Sequence, residues 1–565
     1  MVTRGELALP ELQRRYVWRA SRVRDLFDSL YRGYPSGSIL VWETDEEVPQ
    51  HELAVSQVAT PFKVHKLLLD GQQRITSLAA VLQGNPVKVR NRKTPINILF
   101  NLEHPEGPPT DVDVTEMEVE DEPATDEVEI NGDDGEDSED EAAAALQERM
   151  KRRAFIVSSS ALEKDPVWVR VTDIFQKADR DLLMRVGIKG FDDPRYAKYT
   201  ERLNRVRKIR DYPYVMNVLG RDLNYEEVAE IFVRVNSLGV KLRSSDLALA
   251  QITSRWRNSL KLFEEFQHEY EKIGFDLDLG TYLRALIVVA TKQCKFQAAA
   301  GLSRPVLEES WRCAKDGLDF ALNFLRTVSG VERVALLSSP FLIIPIAAYG
   351  HLRKGKLTTQ DTRELNYWLH VANARGRYSR GSSETFLNED LSILFRGDGP
   401  AKLLEPIKRV FGRLDVDESD FAGRGQSSTV FPAVFLALKA LGARDWATGN
   451  GISMNLQGKA HAIEYHHIFP KALLRERGYD DKAEINEMAN FAFISSRTNK
   501  EIGKQEPSVY FPKFEALRPE EIFAAHAIPS DPTLHKVENF RAFLKTRRSL
   551  LVVTVNAFLS RAREV

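Results

Sequence analysis

Apolar residues recur along the first part of this chain with two alternating periods. Over residues 21–33 they fall at Val23, Leu26, Phe27 and Leu30, the spacing of one helical face, with Ser21 placed to cap the start and Gly33 to end it. The run ILVW at 39–42 follows as a strand. A second apolar strand, 66–69, meets Asp70 and Gly71, after which Ile75, Leu78, Ala79 and Leu82 return to helical spacing. Residues 96–102, 167–171 and 212–219 read as further strands, 225–232 as a helix and 236–239 as a loop. Strands alternating with helices predict an α/β unit over residues 1–250. From 251 to 425 the pattern is mainly helical, with amphipathic runs at 260–270, 318–325 and 364–371 and no repeat that would mark a solenoid. The predicted fold class is therefore a multidomain α+β protein.

Charge changes this picture at one place. Residues 111–141 hold seventeen Asp or Glu and no Lys or Arg, a composition that cannot bury enough apolar surface to order itself. An acidic insertion at about 104–150 is expected to interrupt the first domain, either as a solvated linker or as a mimic of a phosphate backbone. Removing those seventeen acids from a net charge of −2 leaves the rest of the chain at +15, which is compatible with a polyanionic partner. The long apolar stretch 335–350 is broken by Pro340 and Pro345 and falls short of the ~20 residues that span a bilayer, so it reads as core and no membrane association is expected. The start, MVTRGELALP, has no apolar leader, and a cytoplasmic location is the expectation. Two isolated cysteines, Cys294 and Cys313, make neither a zinc knuckle nor a disulfide framework, so any metal must be held by His, Asn or carboxylates.

The residues richest in chemistry lie in the segment EYHHIFP at 464–470. Adjacent imidazoles at a strand end, His466 and His467, can divide labour between a metal and a water. Asn490 follows, then the short strand FAFI at 491–494, then Ser495 and Ser496 as N-caps for a helix that carries Asn499. The two histidines also fit ordinary polar residues at a strand end, and the asparagines ordinary turn residues. The joint order of strand, loop, strand and capped helix resembles the ββα-metal fold of HNH nucleases, over residues 426–565. That resemblance implies His466 and Asn499 as ligands of a divalent metal, Mg²⁺ or Mn²⁺, His467 as the general base, and Asn490 as the residue that holds the loop and orients His467. Many relatives carry a carboxylate where His466 stands, which bears on metal preference. Arg497, Lys500 and Lys504 lie nearby for phosphate contacts.

A second constellation, DGQQR at 70–74, sits where a strand passes into a helix. Backbone N–H groups there can face an anion, Gly71 permits close approach, and Arg74 can clamp a phosphate; a structural turn is the other reading. Together with LPELQRRYVW at 9–18 and IFVRVNSLG at 231–239, the segment resembles the ParB/sulfiredoxin-like domain of GmrSD-type restriction endonucleases, to which SspE-type enzymes are related. The resemblance implies that Asp70, Gly71, Gln72, Gln73 and Arg74 bind a nucleoside triphosphate, GTP or ATP, and that the domain hydrolyses it. It also implies a DNA substrate carrying a phosphorothioate or a glucosylated base, cut under nucleotide control. Tyr16 and Trp18 could stack on a base or pack against the first helix, and RGRYSR at 375–380 could track a backbone or stay a solvated loop. A homo-oligomer is compatible with all of this, because one HNH site cuts one strand. The alternatives from other classes are a ParB-like, nucleotide-dependent DNA-binding switch with an inactive HNH module, and a sulfiredoxin-like phosphoryl-transfer enzyme.

Overall fold

Val23, Leu26, Phe27 and Leu30 form one buried stripe of α1 (Ala20–Arg32), as their spacing predicts. The computed structural model describes residues 1, 6–12, 18, 20–51, 66–84, 97–107, 152–159, 162–238, 243–379, 381–455, 463–517 and 522–564, so the acidic run 111–141 lies outside them. These residues divide into a first unit ending at residue 260 and a second beginning at 261.

The first unit starts with β1 (Leu9–Pro10), which pairs antiparallel with β3 (Gln50–His51). Its main sheet has β2 (Ile39–Glu43) in the centre, antiparallel to β4 (Lys66–Asp70) and parallel to β8 (Met216–Leu219). A second sheet centres β5 (Ile98–Asn101) between β6 (Phe155–Val157) and β7 (Trp168–Arg170), all antiparallel. Helix α1 packs Phe27 and Tyr31 against Phe100 and Phe155 of that sheet, and α3 (Val171–Gln176), α4 (Asp179–Arg185) and α5 (Tyr196–Arg207) complete this core. Trp42, Leu67 and Leu69 build a separate core with Tyr225, Val228 and Phe232 of α6 (Tyr225–Leu238) and with Ala250 of α7 (Ser244–Arg255).

Three local expectations change. In α2 (Gln72–Gln83) the buried positions are Gln72, Thr76, Ser77, Ala80 and Val81, while Ile75, Leu78, Ala79 and Leu82 are half-buried. Small side chains on the inner face let the helix backbone come close, and Thr172 Oγ1 donates to the Val81 carbonyl at 2.8 Å. The strand expected over 212–219 starts only at Met216, because Tyr212 and Tyr214 engage the turn at 34–36: the Tyr212 hydroxyl donates to the Tyr34 carbonyl, and Ser36 Oγ donates to the Tyr214 hydroxyl. Helix α6 runs on through the expected loop to Leu238, since no Gly or Pro breaks it before Gly239, which lies outside the described residues.

The second unit opens with α8 (Ser259–Glu271), α9 (Leu279–Thr291), α10 (Arg304–Thr327), α11 (Ile343–Leu352), α12 (Thr359–Arg375), α13 (Ser383–Arg396), α14 (Leu404–Phe411) and α15 (Phe431–Ala440). The apolar run 335–350 is buried in this set; a Cβ at Gly317 of α10 would come within 2.6 Å of the Ala347 carbonyl, so glycine sets the spacing between α10 and α11. The segment from Arg375 to Ser379 is neither a solvated loop nor free to follow a DNA backbone. Arg377 is fully buried, with Nη2 donating to Asp390 at 2.9 Å and Glu389 at 2.8 Å; the Tyr378 hydroxyl also donates to Asp390, and Arg375 pairs with Asp420. A buried guanidinium needs these carboxylates to offset its desolvation.

Next come β9 (Ile463–His467), α16 (Lys471–Glu476), α17 (Lys482–Ile485), β10 (Phe491–Ser495), α18 (Ser496–Ile502), α19 (Pro507–Leu517) and the closing helix α20 (Phe540–Ala562). Helix α20 turns Phe540, Phe543, Leu544, Leu551 and Val555 inward, and with them Arg547. This arginine donates to the carbonyls of Ala489, His526 and Ala527; burial lowers its pKa to about 9, so it stays charged at neutral pH. Arg548 beside it pairs with the buried Glu487, so two consecutive arginines hold the turn that leads into Asn490.

Replacing Arg547 with Met relieves the desolvation of a buried cation but leaves three buried carbonyls without that donor, and the second effect is the larger. Arg547→Met is expected to cost about 3 kcal/mol and to lower the calorimetric midpoint of the second unit by roughly 5 °C. An unchanged midpoint would show that the carbonyls find other donors.

Candidate functional site

Strand β9 pairs antiparallel with β10 over its whole length, with His466 opposite Ala492 and His467 opposite Phe491. Beyond β10 the chain turns at Ser495, whose Oγ accepts the Thr498 N–H and caps α18. This turn is gripped by a residue far upstream. The Asp445 carboxylate accepts Ser495 N at 2.6 Å, Thr498 Oγ1 at 2.8 Å and Thr448 N at 2.7 Å. Burial pushes its pKa up, but those hydrogen bonds outweigh burial and hold the carboxyl below its usual range.

Held this way, α18 brings Asn499 onto β9. His466 Nδ1 and Asn499 Oδ1 stand 2.6 Å apart, and since an amide oxygen cannot donate, Nδ1 carries the proton. His466 is buried against the edges of Trp446 and Tyr510, with ring centroids 6.0 and 6.1 Å away, and burial pushes its pKa down to about 4. At neutral pH the ring is uncharged, and its Nε2 is buried with no hydrogen-bond partner among the described residues. Asn499 Nδ2 donates in turn to Glu464 Oε2 at 3.1 Å.

These residues fit a divalent cation. Among the described residues no group of three or more His, Cys, Asp or Glu could hold a metal, so a site built from these residues uses a mixed donor set. An uncharged imidazole nitrogen and an amide oxygen converge here, with a carboxylate one hydrogen bond away.

His467, the next residue of β9, meets the Phe491 ring in a T-shaped contact, centroids 4.7 Å apart. Burial, then the charge of Lys471, push its pKa down to about 3, so it too is neutral at pH 7. Asn486 Oδ1 accepts its Nε2–H at 3.1 Å, which leaves Nδ1 as the nitrogen with a lone pair. Asn490 laces the turn after β9: its Oδ1 accepts Phe469 N, its Nδ2 donates to the carbonyls of Phe469 and Ile485, and its own carbonyl accepts Ile468 N. The hydrogen bond to the His467 ring comes from Asn486, not Asn490. Arg497 and Lys500 are exposed on the outer side of α18, and Lys504 is exposed just past its end.

Reading the sequence missed Glu464, Asn486, Asp445 and Trp446. The period of two along a strand could have marked Glu464, which shares a face with His466. The other three have no local signal, because Asp445 acts across 50 residues of chain, Trp446 packs on His466 from another segment, and Asn486 reaches His467 across a loop.

In the first unit, Gly71 ends β4 with φ 94° and opens α2 without a side-chain cap. Arg74 folds back onto the turn at 36–38, donating to the carbonyls of Ser36 and Ser38 and to Asp70 Oδ2 at 2.9 Å. A Cβ at Gly37, where φ is 88°, would lie 1.8 Å from Arg74 Nη1, so this clasp requires glycine. Gln72 is buried and Gln73 Oε1 accepts Trp18 N at 3.1 Å. Trp18 packs on the α1 core, while Tyr16 lies outside the described residues. Glu11 is buried and accepts the N–H groups of Asn258 and Leu260. Segments 9–12, 70–74 and 231–238 thus share one unit.

Residues 1–253 match the N-terminal domain of GmrSD restriction endonucleases. The match supports a relation to that family of enzymes, whose name implies cleavage of DNA. An uncharacterized protein of Methanocaldococcus jannaschii, MJ0686, is 23% identical over 609 aligned positions, covering 98% of this chain and 97% of its own. The similarity therefore extends through the second unit as well. No helix among the described residues is long and apolar enough to cross a membrane.

The Asp445 clasp has a pH signature. Its folded pKa lies below the unfolded value of about 3.9, so its contribution is complete above that value and is lost as pH falls through the lower folded value. Asp445→Asn is expected to cost about 1.5–3 kcal/mol at pH 7 and to remove part of the stability loss that the unmodified protein shows below pH ~4. Urea melts at pH 7 and pH 3.5 measure both; identical pH dependence in the two proteins would remove Asp445 from the account.

Proposed function

We propose that this protein is a metal-dependent DNA endonuclease of the HNH type that cuts modified or foreign DNA in anti-phage restriction, under the control of a nucleoside triphosphate bound by its first domain. The observation that carries the reading is the His466–Asn499 donor pair at 2.6 Å, with a neutral His467, the next residue of the strand, whose Nδ1 is free of its own proton. The GmrSD match over residues 1–253 supplies the restriction context.

In this reading His466 and Asn499 hold Mg²⁺ or Mn²⁺, which when bound stabilises negative charge on the phosphate and the departing oxygen. His467 Nδ1 takes a proton from water as the water oxygen bonds to phosphorus and the bond to the leaving oxygen breaks; that oxygen is protonated from solvent. Asn486 keeps the other imidazole proton on Nε2, so the ring stays in the tautomer that can accept. A pKa of about 3 makes His467 a weak base in the closed site, and an anionic phosphate beside it raises that value by favouring the imidazolium. Asn490 holds the turn that carries His467, and Arg497, Lys500 and Lys504 lie where they can contact phosphates.

The first domain binds GTP or ATP through residues 70–74. The start of α2, which carries no side-chain cap, takes a phosphate, and Arg74 exchanges the carbonyls of Ser36 and Ser38 for phosphate oxygens. Release of that clasp frees the turn at 36–38 and supplies a means by which nucleotide reaches the rest of the domain. The DNA partner carries a phosphorothioate or a glucosylated base.

Matched unmodified and modified phage DNA, incubated with Mg²⁺ or Mn²⁺ and with or without GTP or ATP, test the reading. The wild-type protein is expected to cut modified DNA, and His467→Ala to lose at least about 100-fold in rate while still binding Mn²⁺. DNA binding without any cutting by the wild type would instead favour a nucleotide-dependent DNA-binding switch.

A further inference from the structure

The two donors that would hold the cation are both uncharged, and one of them is ambiguous. An asparagine amide can present oxygen or nitrogen to a neighbour, and only the oxygen can ligate a cation. Glu464 lies two residues before His466 on β9, on the same face of the strand, opposite Ile494 of β10. Its Oε2 stands 3.1 Å from Asn499 Nδ2, while Asn499 Oδ1 stands 2.6 Å from His466 Nδ1. An ionised carboxylate has no proton to donate, so only the –NH2 end of the amide can face it.

We propose that Glu464 is the positioning residue of the cation site, its carboxylate holding the Asn499 amide so that the oxygen, and not the nitrogen, faces His466. The inference rests on the reading of His466 and Asn499 as cation ligands. A neutral side chain at 464 would leave the amide free to turn, and the turned rotamer would aim N–H groups at the cation.

Binding of Mn²⁺ to the full-length protein, followed by the electron paramagnetic resonance of the free ion, tests this without recourse to cleavage. Glu464→Gln is expected to weaken binding roughly 10- to 100-fold, the usual range for a residue that orients a ligand. The double variant Glu464→Gln/Asn499→Asp is expected to recover wild-type affinity to within about threefold, because a carboxylate presents oxygen whichever way it turns. The double variant also gives a readout should Glu464→Gln alone fail to fold, as judged by circular dichroism. Wild-type affinity in Glu464→Gln, or a double variant that folds and stays as weak as the single, overturns the role of Glu464. Mn²⁺ binding that survives His466→Ala, or is absent from the wild type, overturns the cation reading itself and this inference with it.

Discussion

A single buried carboxylate fixes the turn on which the contact between His466 and Asn499 depends. Asp445 takes hold of the turn between β10 and α18 at Ser495 N and Thr498 Oγ1, and Asn499, one residue further on, is thereby fixed against His466. A helix of seven residues has little stability of its own, since helix nucleation is unfavourable and its end groups need outside partners. The carboxylate answers this by accepting orphan donors at the start of the helix, where negative charge also meets the positive end of the helix dipole. Trp446, the next residue, packs its ring against His466, so one short segment supports both sides of the donor pair.

The remaining support comes from the opposite direction. Arg547 and Arg548 of α20 bind Ala489 and Glu487, and Asn490 then ties Phe469 and Ile485 into the same turn. The two histidines at the end of β9 are therefore braced by residues on both sides of them in sequence, and the charged groups involved are nearly all satisfied by partners. Burial has a chemical consequence as well. It keeps both imidazoles neutral, which is the state a cation or a proton acceptor requires. In the first unit the half-buried Arg74 is likewise satisfied, donating to the carbonyls of Ser36 and Ser38 and pairing with Asp70.

Much of this architecture is legible in the sequence wherever the physical cause is local. The stripe of α1, the strands at 39 and 66, the buried run 335–350 and the order of strand, strand and capped helix around EYHHIFP all follow from periods of 2 and 3.6 and from residues that cap their own segment. Periodicity misjudged the inner face of α2, where Thr, Ser and Ala pack more closely than the larger residues beside them. It misjudged the strand at 212–219 for a different reason, since tyrosine hydroxyls there serve a turn about 180 residues away.

The sequence by itself determined which segments form helices and strands, where charge accumulates, and that His466, His467, Asn490 and Asn499 fall in an order able to meet. Only the tertiary structure decided that Glu464 faces the Asn499 amide, that Asn486 rather than Asn490 bonds the His467 ring, that Asp445 anchors α18, and that RGRYS is buried among Asp390, Glu389 and Asp420. The difference is one of range. Spacing along a chain encodes contacts within a turn or a strand pair, whereas a hydrogen bond from residue 445 to residue 495 depends on how every intervening element packs.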